Sequence, residues 1–497
     1  MTTKKSKQIT CGSDLPQEKL VKAYAKTLST DRDPKIFDSR IRDLILKYSK
    51  LDESEIVEVI AQADTIGFSC SKYEYKLIEE QIRKFEGTNV PYFGWNRNFK
   101  KAKDYLLDEM RNSHLKSLVF SGNSDIMDSL PRKDTHAGAS YLVTGLRKKG
   151  EYAASIYSDV IKAEEEARRN GTFGQPLMIG TRTQASMPFD NNGVYLAKYK
   201  SKSRLVSMVD IKVIVSELRY AKPFQRYLST FDWYAGGKND VQLSALLNNW
   251  RYSYKHWLSI DYSGFDQSIS NWLIMESFDI IESCFTRDPN FDELLFKAIK
   301  HDFCNKYFID GSGKLRFSNK GVPSGSMFTQ IIDTLVNRLM ILTYVFAKGI
   351  DVRDVHMCIM GDDNIIFTRE GISRDDLEGY LNSNFGVLVN ASKSSAGTRD
   401  QDPEFLSRYW SYGGAHRHWK HLVLNMCYPE RFRDYLSGKA HPELVLYSYI
   451  LAYPISMAEI IDLHDFYYDY PNLENRLREE GVQGLTGYAA YRIKYLS

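Results

Sequence analysis

Between about residues 30 and 120, apolar positions recur at three- and four-residue spacing. DPKIFDSRIRDLILKYSKLD, SEIVEVIAQAD and KKAKDYLLDEMRN each lay an apolar stripe along one face, the period of an amphipathic helix. Aromatic and Gly-containing turns (Phe93, Gly94, Trp95) separate them. From 176 to 226 the texture becomes β-like, with short alternating pieces such as GVYLAKYK and RLVSMVD. Two further strands are expected at HWLSID and VHMCIM, the second paired with NIIFT across the tight turn Gly361-Asp362-Asp363. The run from Met327 to Val345 predicts a helix, and helices resume after each strand. The class is therefore α+β, built on a central antiparallel sheet.

Composition narrows the functional classes. At 497 residues the chain is too long for a single small binding module, and 43% hydrophobic with 26% charged residues excludes a disordered chain. A net charge of +3 excludes a polybasic protein, so any affinity for nucleic acid must come from local clusters. One such cluster is present. From Lys198 to Arg226 stand eight basic residues (Lys198, Lys200, Lys202, Arg204, Lys212, Arg219, Lys222, Arg226) against two acidic ones, Asp210 and Glu217. The alternation K-Y-K-S-K-S-R turns several cations to one face of a strand, which suits a triphosphate. Six scattered cysteines with no C-x-x-C pair fit a reducing compartment and argue against a zinc module. His416, His418 and His421 lack a partner cluster at familiar zinc spacing. No P-loop motif, secretion signal or membrane span is readable.

The chemistry concentrates in carboxylates. Asp261 ends the strand candidate, Asp266 follows in DYSGFD, and Asp362 and Asp363 occupy the hairpin turn. Strands ending side by side would bring Asp261 and Asp362 together, and such like charges are costly unless cations neutralise them. An oxygen-only ligand set suits Mg2+ or Mn2+, and a pair of these ions is common machinery for phosphoryl transfer. Taken alone, G-D-D is also an ordinary turn. Between the acidic segments lies GVPSGSMFTQIIDTLVN. Gly321, Pro323 and Gly325 make a loop before the helix, Ser324 or Ser326 can cap it, and its start offers N–H groups to a ribose-phosphate chain.

DYSGFD, then SG-x-x-x-T (Ser324, Gly325, Thr329), then GDD, separated by 63 and 38 residues, resemble motifs A, B and C of the palm of viral RNA-dependent RNA polymerases. FDQS and GVPSGSMFTQIIDTLVN look most like the picobirnaviruses, with partitiviruses next. The resemblance implies a right hand of fingers, palm and thumb. Residues 1–50 would bridge to the fingers, 51–216 and 268–317 form the fingers, 217–267 and 318–410 the palm, and 411–497 the thumb. It implies template-directed RNA synthesis from nucleoside triphosphates, with two Mg2+ or Mn2+ ions. RNA template, nascent RNA and capsid protein are the implied partners, and the virion interior or host cytoplasm the location. A reverse transcriptase, or a non-catalytic capsid-associated RNA-binding protein, would share the fold. The first places a bulky aromatic at the ribose gate and before the aspartates, where this chain has Asp266 and Met360-Gly361; the second would lose the metal ligands.

By the same resemblance Asp261 and Asp362 are the principal metal ligands, and Asp363 is a less essential carboxylate. Asp266 reads the ribose 2′-OH. Lys393 in FGVLVNASKSS matches a general acid for the leaving pyrophosphate. Arg408 in PEFLSRYW belongs to a hairpin that grips nascent RNA, with Phe405 and Leu406 as core. Lys200, Lys202 and Arg204 fall in the basic strand of the fingers, the last two meeting triphosphate. Thr135 and Gly138 in THAGAS lie near the incoming template. One position departs from the pattern: the slot four residues after Thr329, often Asn in this family, holds Asp333, with Asn337 one turn on. At about 100° per residue, Thr329, Asp333 and Asn337 can share a helix face. The expectation is that Asn337 or Thr329 donates to the sugar and Asp333 orients the donor.

Overall fold

The computed structural model describes residues 18–29, 37–65, 75–184, 193–194, 202–428 and 441–480. Its strands are β1 (Leu177–Gln184), β2 (Lys202–Met208), β3 (His256–Ser259), β4 (Lys306–Ile309), β5 (Leu315–Ser318), β6 (Val355–Met360), β7 (Asp363–Thr368), β8 (Ser395–Thr398), β9 (Glu404–Phe405), β10 (Arg408–Ser411) and β11 (Gly414–His416). The central sheet has the order β6-β7-β3-β8 and is antiparallel throughout. HWLS, VHMCIM and DNIIFT therefore form the expected strands, with one refinement. Met360 pairs with Asp363, so the turn is the two residues Gly361 and Asp362, and Asp363 already belongs to β7. Gly361 supplies the left-handed backbone (φ 68°) at the first turn position, where glycine is free of Cβ strain.

The helix Thr329–Ala347 crosses behind this sheet, with fifteen of its 19 residues buried. Its length and apolar composition would suffice to cross a membrane, yet 83% of that window is buried inside the protein, as befits a core helix. It starts two residues later than the apolar run predicts, because the Thr329 hydroxyl ties back to the Pro323 and Ser326 carbonyls (2.6 and 2.9 Å) and keeps the preceding turn out of the helix. A second sheet has the strand order β2-β1-β4-β5.

The β-like reading of 176–226 holds for β1 and β2 only. Residues Ile211–Leu228 form one helix capped by the Asp210 carboxylate, which accepts the Lys212 N–H at 2.9 Å. Eleven of its 18 residues are buried, and Lys212, Arg219, Lys222 and Arg226 line its one polar face at helical spacing; its Ile and Val residues mimicked strand composition and masked that period. Lys212, Arg219, Lys222 and Arg226 thus leave the basic strand. The expected boundary at 216/217 also falls inside this helix. The helices Ser39–Tyr48 and Glu53–Thr65 share a core with Trp419–Cys427 and Pro442–Ala452, so these early helices pack on late ones. The cysteines Cys284, Cys304, Cys358 and Cys427 are free and buried.

Candidate active site

The pairing Leu258↔Ile366 of β3 with β7, continued three residues, sets Asp261 opposite Asp363, with Asp362 adjoining in the turn. Backbone contacts fix Asp261: its N–H donates to Ser394 Oγ (3.0 Å) and its carbonyl accepts the Asn390 N–H (2.7 Å). Asp362 is exposed, and Asp261 and Asp363 are half-buried. Burial, and then the charges of Asp362 and Asp261, push the Asp363 carboxyl up to about 7, while Arg204 opposes the rise. Burial and Asp362 push Asp266 up to about 6, again against Arg204. The three motifs read from the sequence therefore converge, and the basic strand β2 faces their carboxylates.

The turn is held from behind by the Thr329–Ala347 helix. Gly361 N–H donates to Thr334 Oγ1 (2.8 Å), and Asn337 Nδ2 donates to the Gly361 and Asp362 carbonyls (3.1 Å each). Asn337 Oδ1 accepts the Tyr262 hydroxyl (2.9 Å), which burial keeps protonated. Asn364 ties β7 to the end of β3 through the Ile260 backbone (3.2 and 3.3 Å). Asn337 is fully buried with both ends of its amide engaged, so it holds the turn and does not reach a sugar, contrary to the sequence expectation. Asp333, one turn earlier, is 4% exposed, and its Oδ1 has no hydrogen-bond partner among the described residues. Burial, and then Asp266 and Asp362, hold its carboxyl well above the usual range.

The preceding loop is equally constrained. Ser324 Oγ accepts the Ser207 N–H of β2 (2.9 Å), and a Cβ on Gly325 would stand 1.9 Å from the Ser207 carbonyl oxygen, so only glycine fits. Arg204 on β2 lies directly opposite Arg182 on β1. Arg182 escaped the sequence reading because only the register reveals it. Lys202 pairs with Gln184 through the backbone; Lys200 lies outside the described residues.

Two expected RNA contacts are corrected. Arg408 is 5% exposed and donates to Asp240 (3.0 Å) while lying over the Tyr453 ring, which ties β10 to its neighbours. Gly138 is buried against the Val209–Asp210 backbone, where a Cβ would meet the Asp210 Cα at 2.5 Å. Thr135 is half-buried, and the exposed cations around it are Arg132, Lys133, Arg147 and Lys148. Lys393 is exposed beyond β3. Its charge, with that of Arg417, partly offsets the rise that burial and then Asp261 impose on the Glu404 carboxyl. Glu404 in turn raises Asp363, so it is a further carboxylate at this site. Phe405 is core, as expected.

Residues 123–426 match the sequence profile of the viral RNA-dependent RNA polymerases. The chain belongs to that family. The RNA-directed RNA polymerase of Cryptosporidium parvum virus 1 (strain KSU-1) is 32% identical over 233 residues, 45% of this chain and 42% of the relative. That of Atkinsonella hypoxylon virus (isolate 2H) is 34% identical over 124 residues, 23% and 19%. These matches span less than half of either relative's length. The RNA-dependent RNA polymerase of a human picobirnavirus, in an insertion-loop deletion mutant, superposes with a TM-score of 0.67 at 15% identity over 97% of both chains. The right-hand polymerase fold expected from the motifs is thus the fold of this chain, a viral RNA-dependent RNA polymerase by family.

Proposed function

We propose that this chain copies an RNA template into RNA, joining a nucleotide to an RNA 3′-OH with release of pyrophosphate. The observation that carries this reading is the convergence of Asp261, Asp362 and Asp363 under a strand bearing Arg204. Asp362 and Asp261 raise the affinity of Asp363 for protons, and a cluster of carboxylates with only oxygen donors is suited to divalent cations. Asp261, Asp362 and Asp363 would hold two Mg2+ or Mn2+ ions, which supply charge neutralisation to the attacking 3′-oxygen and the departing pyrophosphate. Arg204, with Arg182 opposite and Lys202 beyond, binds the triphosphate. Asp266 accepts from the 2′-OH, and Lys393 gives a proton to the pyrophosphate as the bond from the α-phosphate to the bridging oxygen breaks. The exposed cations near Thr135 guide the template. Capsid protein as partner, and the virion interior or host cytoplasm as location, rest on family resemblance, as does the assignment of fingers, palm and thumb. The test is incubation of purified protein with single-stranded RNA, labelled nucleotides and Mg2+ or Mn2+. Labelled RNA is expected, and no product, or product from deoxynucleotides alone, would overturn the reading.

Two variants probe the substrate side. Arg204→Ala should raise the KM for nucleotide by about tenfold while the salt dependence of template binding stays unchanged. A collapse of template affinity, with a salt slope lower by about one, would make β2 an RNA track instead. Asp333→Asn should keep kcat/KM within about threefold, because burial with Asp266 and Asp362 nearby already disfavours the ionised carboxylate, and the amide is isosteric with the acid. Steady-state kinetics with ribo- and deoxyribonucleotides check this.

A further inference from the structure

Several long helices among the described residues are capped by a side chain from their own N-cap, such as Asp38, Asn96, Asn239 or Asp292. The helix Thr329–Ala347 is not. The turn leading into it is held by Glu217, 110 residues upstream and 3% exposed, whose two carboxylate oxygens accept the Ser326 hydroxyl (2.7 Å) and the Met327 N–H (2.8 Å). Ser326 Oγ in turn accepts the Phe328 N–H (3.0 Å). Burying a carboxylate is costly, and here burial dominates, pushing Glu217 up to about 7. The charged groups facing it are Lys149, from the turn Lys149–Tyr152, and Asp302, from the helix Glu293–Cys304. A local serine or aspartate would cap the helix at lower cost.

What the distant carboxylate adds is connection. Residues 202–228 run from β2 through the Asp210 cap into the helix that carries Glu217. That one unit grips the loop at two points on either side of Gly325: Ser207 holds Ser324, and Glu217 holds Ser326 and Met327. We propose that Glu217 is a positioning residue that locks the Ser324–Thr329 loop to the basic β2 unit, so that the surfaces meeting a nucleotide's sugar and its triphosphate keep one register. This rests on the polymerase reading above.

The test uses the full chain with Glu217→Ala, Glu217→Gln and Ser326→Ala. Glu217→Ala should raise the KM for nucleotide about tenfold, with kcat and template Kd within about twofold, and Glu217→Gln, which keeps an acceptor oxygen, should restore most of it. The effects of Glu217→Ala and Ser326→Ala should combine to less than their sum, since both remove the Ser326–Glu217 hydrogen bond, while each also removes one backbone contact of its own, to Met327 and Phe328 respectively. Hydrogen exchange at the Met327 and Phe328 amides, read without turnover, should accelerate in Glu217→Ala and not in Glu217→Gln. An unchanged KM in folded Glu217→Ala, or a Gln variant no better than Ala, overturns the proposal. Should Glu217→Ala fail to fold, Ser326→Ala decides: a raised KM with unchanged kcat supports it, and an unchanged KM refutes it. A wild type that incorporates nothing would defeat the polymerase reading, while amide exchange still judges the anchor.

Discussion

Replacing Asp362 with alanine is expected to reduce nucleotide incorporation by at least about a thousandfold, the scale on which transition-state charge stabilisation is lost. Folding should survive. The side chain is exposed in a two-residue turn, and its removal opens no core cavity. Its carbonyl still accepts from Asn337. Stability should even rise slightly, because Asp362 contributes to raising Asp266, Asp333 and Asp363, and deleting it relieves that repulsion. Asp261→Ala should lose activity equally. Thermal melting beside a templated incorporation assay checks both halves, and near wild-type incorporation in magnesium by either variant would remove these carboxylates from the chemistry.

Asn337→Ala is expected to act differently, damaging fold and activity together. The substitution strands the Gly361 carbonyl and the Tyr262 hydroxyl in a buried site and leaves the Asp362 carbonyl only its longer contact with Asn364 Nδ2 (3.4 Å), at a cost of about 2–4 kcal/mol. With the turn released, displacement of the carboxylates by about an ångström would slow incorporation roughly a hundredfold. The ratio of kcat/KM for ribo- over deoxyribonucleotides should stay unchanged, because Asn337 has no exposed surface. Denaturant unfolding and the two kinetic ratios test this. A shifted sugar preference with intact stability would return Asn337 to the role first expected from its spacing.

That reversal shows where the sequence was legible. The central strands could be read because each is a short apolar run broken by a turn, but the register came from the structure, since the turn read as Gly361-Asp362-Asp363 is only Gly361 and Asp362. Asp261 was legible at a strand end, Asp362 and Asp363 at the hairpin turn, and Asp266 five residues on in DYSGFD. Roles that depend on which buried partner a side chain meets were not. Asn337, Arg408 and Gly138 looked like substrate or RNA contacts and are buried joints instead. Thr334 and Glu217 hold the turn and the loop from other elements, and no local pattern announces them. Asn364 did leave a signal, a lone amide beside the apolar run I-I-F, since a buried polar residue in a strand needs a partner. The helix Ile211–Leu228 was misread because its Ile and Val residues resemble strand composition and its cations were counted with the preceding strand, although Lys212, Arg219, Lys222 and Arg226 share one helical face.

The central claim is that the template dictates what is joined, and a homopolymer tests it most directly. With poly(rC) as the template, Mg2+ or Mn2+ present, and the four ribonucleotides labelled one at a time, guanosine monophosphate alone should enter product, and the Asp362→Ala protein should make none. Incorporation independent of the template base, or a preference for deoxyguanosine triphosphate, would contradict the account.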